Sequence, residues 1–183
     1  MKKDGQELIW QIRDGRTDNI SLLVNNFGSA LMAFVSRIVT RQEDAEDVVQ
    51  NTFVAAYEHL DDYDPTLASV ATWLQRIAYH EILYHLRRRK RHTFLPIDVG
   101  KNVPDEIPDT TTVEQLDEAI KKLSPEDQIL LQLYYFDQRQ LKDIAYITSS
   151  DKNHLDREAS RLSSQLHRIR QRLRIILTHM NDE

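Results

Sequence analysis

Two groups of arginines carry the most evident chemistry in this sequence. Arg87, Arg88, Arg89, Lys90 and Arg91 are consecutive, and Arg157, Arg161, Arg168, Arg170, Arg172 and Arg174 lie close together with Glu158 as the only acid among them. A guanidinium fork suits phosphate oxygens and the O6/N7 edge of guanine. Each group carries +5 while the 183-residue chain as a whole carries −5, so the other 160 residues hold −15. An acidic body with two basic patches implies two contacts with a polyanion. Tyr63, Trp73, Tyr79, His80 and Tyr84 fall in or near the helix that ends in the first patch. Aromatic rings beside a basic stripe supply stacking platforms and charge neutralisation for single-stranded DNA. Trp73 also fits a core position, which leaves Tyr79, His80 and Tyr84 as the candidates for exposure. In the second patch Arg157, Arg161, Ser164, Gln165 and Arg168 lie off the apolar stripe. Arginine pairs with guanine, glutamine with adenine, and serine with either. Arg170, Arg172 and Arg174 suit phosphates, which position a protein without specifying sequence. The plain alternative for these residues is a solvated arginine face.

Other chemistries lack their residues. His80 and His85 are five apart. That spacing separates them by about 140° around a helix, whereas a helical zinc pair needs a spacing of four. The sequence holds no glycine-rich phosphate loop and no nucleophile elbow, and the acidic run Glu43–Asp47 has no matching carboxylate helix. No cysteine is present, which excludes disulfides and thiolate zinc sites and fits a reducing cytosol. The expectation is a protein with no catalytic residue, no metal, no cofactor and no small-molecule substrate. No apolar run approaches 18 residues, so no membrane-spanning helix is expected. The N-terminal stretch contains acidic residues and no long apolar run, so no secretory signal is expected, and a cytoplasmic location is expected.

The elements that must hold these residues read as helices. Only 4 glycines and 5 prolines punctuate the chain, and Pro96, Pro104 and Pro108 share one stretch, which argues against a β-sandwich or barrel. A short helix is expected near Glu7–Arg13, ended by Gly15. Ile20, Leu23, Val24, Phe27, Leu31, Phe34, Val35 and Ile38 recur at spacings of three and four and predict a helix over 17–40. Ala45, Val48, Val49, Thr52, Phe53, Ala56 and Tyr57 stripe the next helix, over 43–60, with acids in its first turn where the helix dipole favours them. Asp61–Ser69 reads as a loop, and 70–91 as a long helix with Trp73, Leu74, Ile77, Ala78, Ile82 and Leu86 on one face. Residues 93–113 form an acidic, proline-bearing linker. Beyond it come a short helix to Leu123, a start signal at Ser124-Pro125-Glu126-Asp127, a break at 137–140, a short helix over 141–147 and a turn at 148–150. A final long helix has Leu155, Leu162, Ile169 and Ile176 seven apart. Short helix, turn and basic amphipathic helix make a helix–turn–helix pattern. Each unit is near the lower size limit for independent stability. The fold class is all-α: two small helical domains joined by an irregular acidic linker.

Several segments resemble the extracytoplasmic-function (ECF) group of bacterial sigma-70 factors, over nearly the whole chain. Asp44-Ala45-Glu46-Asp47-Val48-Val49-Gln50-Asn51-Thr52-Phe53 is similar to the family's AED-x-x-Q-x-x-F helix. Trp73-Leu74-Gln75-Arg76-Ile77-Ala78, with Leu86 and the run Arg87–Arg91, resembles its WL-x-x-IA…RRR helix. Leu123-Ser124-Pro125-Glu126-Asp127, Asp143-Ile144-Ala145 and Leu166-His167-Arg168-Ile169-Arg170 resemble segments of its second domain. The resemblance implies a helical region 2 at 1–92 and a helix–turn–helix region 4 at 114–183. It implies a promoter-specificity subunit of RNA polymerase whose region 2 binds the core enzyme and melts the −10 element while region 4 reads the −35 element. By position, Asp47, Gln50, Asn51 and Phe53 would bind core polymerase. Tyr63, Arg76, Tyr79, His80, Tyr84, Arg87, Arg88 and Arg91 would contact −10 DNA, with the loop Asp61–Ser69 capturing a flipped base. Arg157, Arg161, Ser164, Gln165 and Arg168 would contact the −35 element. The implied partners are core polymerase, promoter DNA and an anti-sigma factor, a membrane-bound one being what the family leads one to expect. A stand-alone helix–turn–helix regulator and a helical interaction protein with no DNA role are the competing readings.

Three departures from the pattern stand out. His80 and Tyr84 replace an asparagine–aspartate pair common in the −10 helix. Asp137 and Gln138 replace a common glycine. The span from Ile144 to Leu162 is about seven residues longer than usual, so either Ser149–Arg157 is an inserted loop or the last helix extends upstream, with Ser150 as its N-cap. The longer helix is favoured.

Overall fold

The computed structural model describes residues 5–89, 112–149 and 154–181, and these are α-helical with no strand among them. Arg91, most of the acidic linker and Ser150 lie outside the described residues. α1 (Gly5–Arg13) buries Leu8, Ile9 and Ile12 and ends at Gly15, whose φ of +88° only glycine adopts without cost. A 3₁₀ turn over Thr17–Asn19 leads into α2 (Ile20–Ser36), which is shorter at both ends than the apolar periodicity suggests. Residues 17–36 are long and apolar enough to cross a membrane by length and composition, although no unbroken apolar run revealed it. In this fold α2 packs against α1, α3 and α4 as the central helix of the first unit.

α3 (Gln42–Glu58) carries Glu43 and Asp44 in its first turn and buries Ala45, Val48, Val49, Thr52, Phe53 and Ala56. The loop that follows is tied back by Arg13, whose guanidinium donates to the carbonyls of Leu60 and Tyr63. α4 (Val70–Arg89) starts where Ser69 Oγ accepts the Thr72 N–H, and it packs against α2 and α3.

The second unit begins at α5 (Val113–Lys121), one residue inside the stretch expected to be linker. The Thr112 hydroxyl accepts the Gln115 N–H while the Gln115 side chain accepts the Thr112 N–H, a reciprocal cap that the expected boundary overlooked. α6 (Pro125–Leu131) has the expected start, with Ser124 capping the Asp127 N–H and proline in the first turn. It then widens into a π-helical turn over Gln132–Phe136, in which the Asp137 N–H reaches back five residues to the Gln132 carbonyl at 3.0 Å. α7 (Leu141–Thr148) and α8 (Leu155–Asn181) complete the pair expected of a helix–turn–helix. α8 is a single helix of 27 residues, so the heptad stripe from Leu155 is helical, but the expected upstream extension capped by Ser150 is overturned: His154 is not helical, and its carbonyl accepts the Glu158 N–H at the helix start. Ser149 is not helical.

The two units do not stand apart. α7 lies on α4, α6 touches it as well, and the buried apolar residues of both units form one continuous cluster from Leu8 to Leu177. Shared burial addresses the size problem of each half, because a larger body hides a greater fraction of its apolar surface.

Candidate nucleic-acid and partner interfaces

Helical spacing on α3 divides its residues between two faces. Ala45, Val48, Thr52 and Ala56 point into the core, while Asp47, Gln50, Asn51, Val54 and Tyr57 face solvent. Phe53 is 7% exposed and forms the floor of a groove of about 690 Å³ walled by Val24, Met32, Val49 and Gln50. Its other edge borders a second hollow lined by Ile20, Val54 and Tyr57. The face therefore combines an acid, two amides and an apolar trough, which suits a helical partner better than DNA. Sequence reasoning assigned Tyr57 to the core and passed over Val54. The signal was present in the width of the stripe: Val49, Phe53, Val54, Ala56 and Tyr57 span more of the helix than one buried face can use.

The candidate −10 residues fall into three environments. His80, Tyr84, Arg87 and Arg88 are exposed on the outer part of α4, and the Arg88 guanidinium lies 5.7 Å from the Tyr84 ring centroid. Partial burial of the ring, together with the positive charges of Arg76 and Arg87, holds the His80 imidazole below its ordinary range. Tyr63 is 3% exposed and packs its ring 5.3 Å from that of Trp73, in the core as expected for the tryptophan. Tyr79, expected on the surface, is 7% exposed because the second unit covers it; burial and the nearby Glu126 carboxylate push its hydroxyl up. Arg76 is half-buried. It donates to the Tyr146 carbonyl of α7 and sits 5.2 Å from the Tyr146 ring centroid, and burial works against its charge.

Further clasps join the units. Arg37 pairs with Asp137 at 2.6 Å, Arg139 donates to Gln75 Oε1 at 2.8 Å, and Arg87 lies 3.6 Å from Glu126. Sequence reasoning singled out none of Tyr146, Arg139 or Glu126 for a contact, because nothing local in a sequence announces a partner 39 to 70 residues away.

On α8, Arg157, Arg161, Ser164 and Arg168 are exposed along one side, the arrangement a groove-reading helix requires. Arg161 pairs with Glu158 at 3.1 Å in the free chain. Gln165 departs from the set. Its amide donates to Asp127 Oδ1 at 2.8 Å, and Arg172, expected on phosphates, donates to Asp127 Oδ2 at 3.0 Å. Both side chains brace α8 against the start of α6 instead of facing outward.

No group of three metal-ligating side chains occurs among the described residues. His80 is exposed, whereas His85 turns toward Asp44 with its Nε2 3.7 Å from that carboxylate, so the two imidazoles serve different surroundings.

Two docked helical bundles present an apolar groove, a basic helix with aromatic neighbours and a basic outward helix, surfaces whose chemistry suits a protein partner and a polyanion. Comparison with known proteins narrows the class. Residues 23–92 match the sequence model of sigma-70 region 2. The RNA polymerase sigma factor YlaC of Bacillus subtilis is 26% identical over 174 residues, spanning 91% of this chain and 96% of that protein. The RNA polymerase sigma factor CnrH of Cupriavidus metallidurans is 37% identical over 92 residues, 49% of this chain and 48% of that one. The chain thus spans about half the length of some curated relatives and nearly the whole of another. The structure of CnrH with the cytosolic domain of CnrY superposes with a TM-score of 0.61 at 21% identity, covering 94% of this chain and 96% of that one, a likeness of fold. Residues 23–92 are thus similar to sigma-70 region 2, and the relatives that the chain resembles are RNA polymerase sigma factors.

Proposed function

We propose that this chain is a promoter-specificity subunit of bacterial RNA polymerase, acting in the cytoplasm. Region 2 corresponds to the first helical unit and region 4 to the unit from α5 onward. The observation that carries the reading is the α3 face. Its Asp47, Gln50 and Asn51 stand exposed beside an apolar groove floored by Phe53, within the segment that matches sigma-70 region 2. In this reading that face docks on core polymerase. The outer part of α4, with His80, Tyr84, Arg87 and Arg88, meets the −10 element, and Tyr63, Arg76 and Tyr79 line the same site from beneath. Arg157, Arg161, Ser164 and Arg168 meet the −35 element. His80 and Tyr84 can stack on unpaired bases and supply fewer hydrogen bonds than an asparagine–aspartate pair, so the −10 preference rests more on shape and stacking. The reaction itself belongs to the polymerase, and this chain positions DNA. An anti-sigma factor is the expected inhibitor, since the sigma factor RpoE of Bartonella quintana, which shares this fold, is solved in complex with the anti-sigma factor NepR.

The test is transcription from fragmented genomic DNA by core polymerase of the native host, with and without the chain, and mapping of the 5′ ends. New starts that share upstream −10 and −35 elements are the expected result. New starts with only a shared −10 element would remove the assignment of α8 to −35 DNA. No new starts would overturn the reading in favour of a regulator or a partner-binding protein.

A further inference from the structure

The Tyr146 ring occupies an unusual place. It belongs to α7 of the second unit, yet it is 1% exposed against α4 of the first. The Arg76 guanidinium lies over its face at 5.2 Å, and Tyr63 and Trp73 lie in the same region of the first unit with their rings 5.3 Å apart. The carboxylates of Asp62 and Asp64, on the loop Asp61–Ser69, are within electrostatic reach of its hydroxyl. That hydroxyl is buried without a hydrogen-bond partner. A buried polar group left unsatisfied is costly, and a site shaped for tyrosine would supply an acceptor. A guanidinium plane, aromatic rings and a loop able to hydrogen-bond are instead the features that receive an unstacked nucleobase. Around this contact Arg37–Asp137, Arg139–Gln75 and Arg87–Glu126 fasten the second unit over the site, and Tyr79 is covered with it.

The geometry points to Tyr146 as a built-in base mimic: in the free chain it fills the pocket between the Asp61–Ser69 loop and Arg76 that takes a flipped base of the −10 strand, and it must withdraw before that strand can bind. The inference rests on the assignment of this loop and α4 to −10 DNA, and it adds a regulation that the assignment does not contain. The ligand that competes with Tyr146 is single-stranded DNA. Because Tyr146, Arg139 and Asp137 belong to the unit that must separate, docking on polymerase and exposure of the −10 site become one event. Apparent affinity for the strand falls in proportion to the fraction of open chains.

Two measurements on the full chain test this. The protein has no native cysteine, so Glu58→Cys with Arg170→Cys gives one spin-label pair spanning the two units. The wild-type background is expected to give one narrow distance distribution by double electron–electron resonance. Tyr146→Ser and Arg37→Asp are expected to broaden it. Tyr146→Phe keeps the ring, and Arg37→Asp with Asp137→Arg restores the pair by charge exchange; both are expected to return it to wild type. The second readout is fluorescence anisotropy of a labelled single strand carrying the −10 element mapped by the transcription experiment. The two opened variants should bind it about tenfold or more tightly than wild type without polymerase, and the two closed ones like wild type. Opened variants that bind no tighter, or a wild-type chain that is already broad, overturn the plug. Arg37→Asp stands outside the pocket, so it decides the matter if Tyr146→Ser fails to fold. If wild type yields no mapped starts, the underlying reading of the site fails. If it yields them and opening brings no gain, only the plug fails.

Discussion

Asp127 ties the start of α6 to α8, and its removal should be felt by the whole second unit. Its carboxylate is nearly buried and accepts from Gln165 at 2.8 Å and Arg172 at 3.0 Å. A hydrogen bond to a charged group contributes about 1.5–3 kcal/mol when its loss leaves a partner unsatisfied. Arg172 has 41% of its side chain exposed and recovers water, so its ion pair adds only about 0–1 kcal/mol. The Gln165 amide is half-buried and loses its acceptor. Asp127→Ala should therefore cost about 2–3 kcal/mol, and for a chain of this size each kcal/mol lowers the melting temperature by about 2–4 °C, giving a drop of about 5–10 °C. Asp127→Asn keeps an oxygen for Gln165 and loses the charge facing Arg172, so its cost should be about 1 kcal/mol. The assay is thermal unfolding followed by circular dichroism at 222 nm in the full chain. An alanine variant that melts within about 2 °C of wild type would refute the bracing role. So would an asparagine variant as damaging as alanine, since the charge and not the acceptor geometry would then dominate.

Three other outcomes follow from the geometry. Gln138 holds a φ of +49°, where a side chain costs about 1–2 kcal/mol, so Gln138→Gly should raise stability by about 0.5–1 kcal/mol after glycine's entropy is counted; a lower melting temperature would refute the strain. The His80 imidazole should titrate by NMR with a midpoint below the ordinary value of about 6.5. The unfolded chain then takes the proton first, so stability is intact above about pH 6.5 and declines as the pH falls toward the folded midpoint, and His80→Gln should flatten that decline. Val54→Asp, on the exposed face of α3, should weaken binding to core polymerase about tenfold or more while helicity is unchanged, and unchanged binding would remove this face from the polymerase contact.

The helices were legible wherever apolar spacing met a chemical start or stop. Ser124-Pro125 set the beginning of α6, and the acids of the first turn marked α3. The candidate site was legible in its residue types, because arginine clusters and aromatic neighbours are local facts. What escaped was the long-range part. Tyr79 looked like a surface aromatic because the helices that cover it lie more than 40 residues away in sequence, and Gln165 looked like a base reader because only the fold shows Asp127 opposite it. Phe53 belonged to both lists: its packing is read from periodicity, but its place at the floor of a groove depends on α2 beside it. The replacement of glycine by Gln138 was visible in the sequence as a departure, and the positive φ there gives it a physical cost.

The widened turn at Gln132–Phe136 has a consequence for the arithmetic of chain length. Each residue advances an α-helix by about 100°, and a π turn absorbs one residue more before the next direction is set. Here that extra residue aims Asp137 both back at Gln132, whose amide donates to it at 3.1 Å, and across at Arg37. Deleting a single residue from 132–136 would let the helix close normally and swing the carboxylate about 100° away from its arginine. No charge, ring or groove residue at the junction need change for the two halves to lose that fastening. The grip of one half of the molecule on the other can thus be altered by an insertion or deletion alone, with every side chain of the clasp left in place.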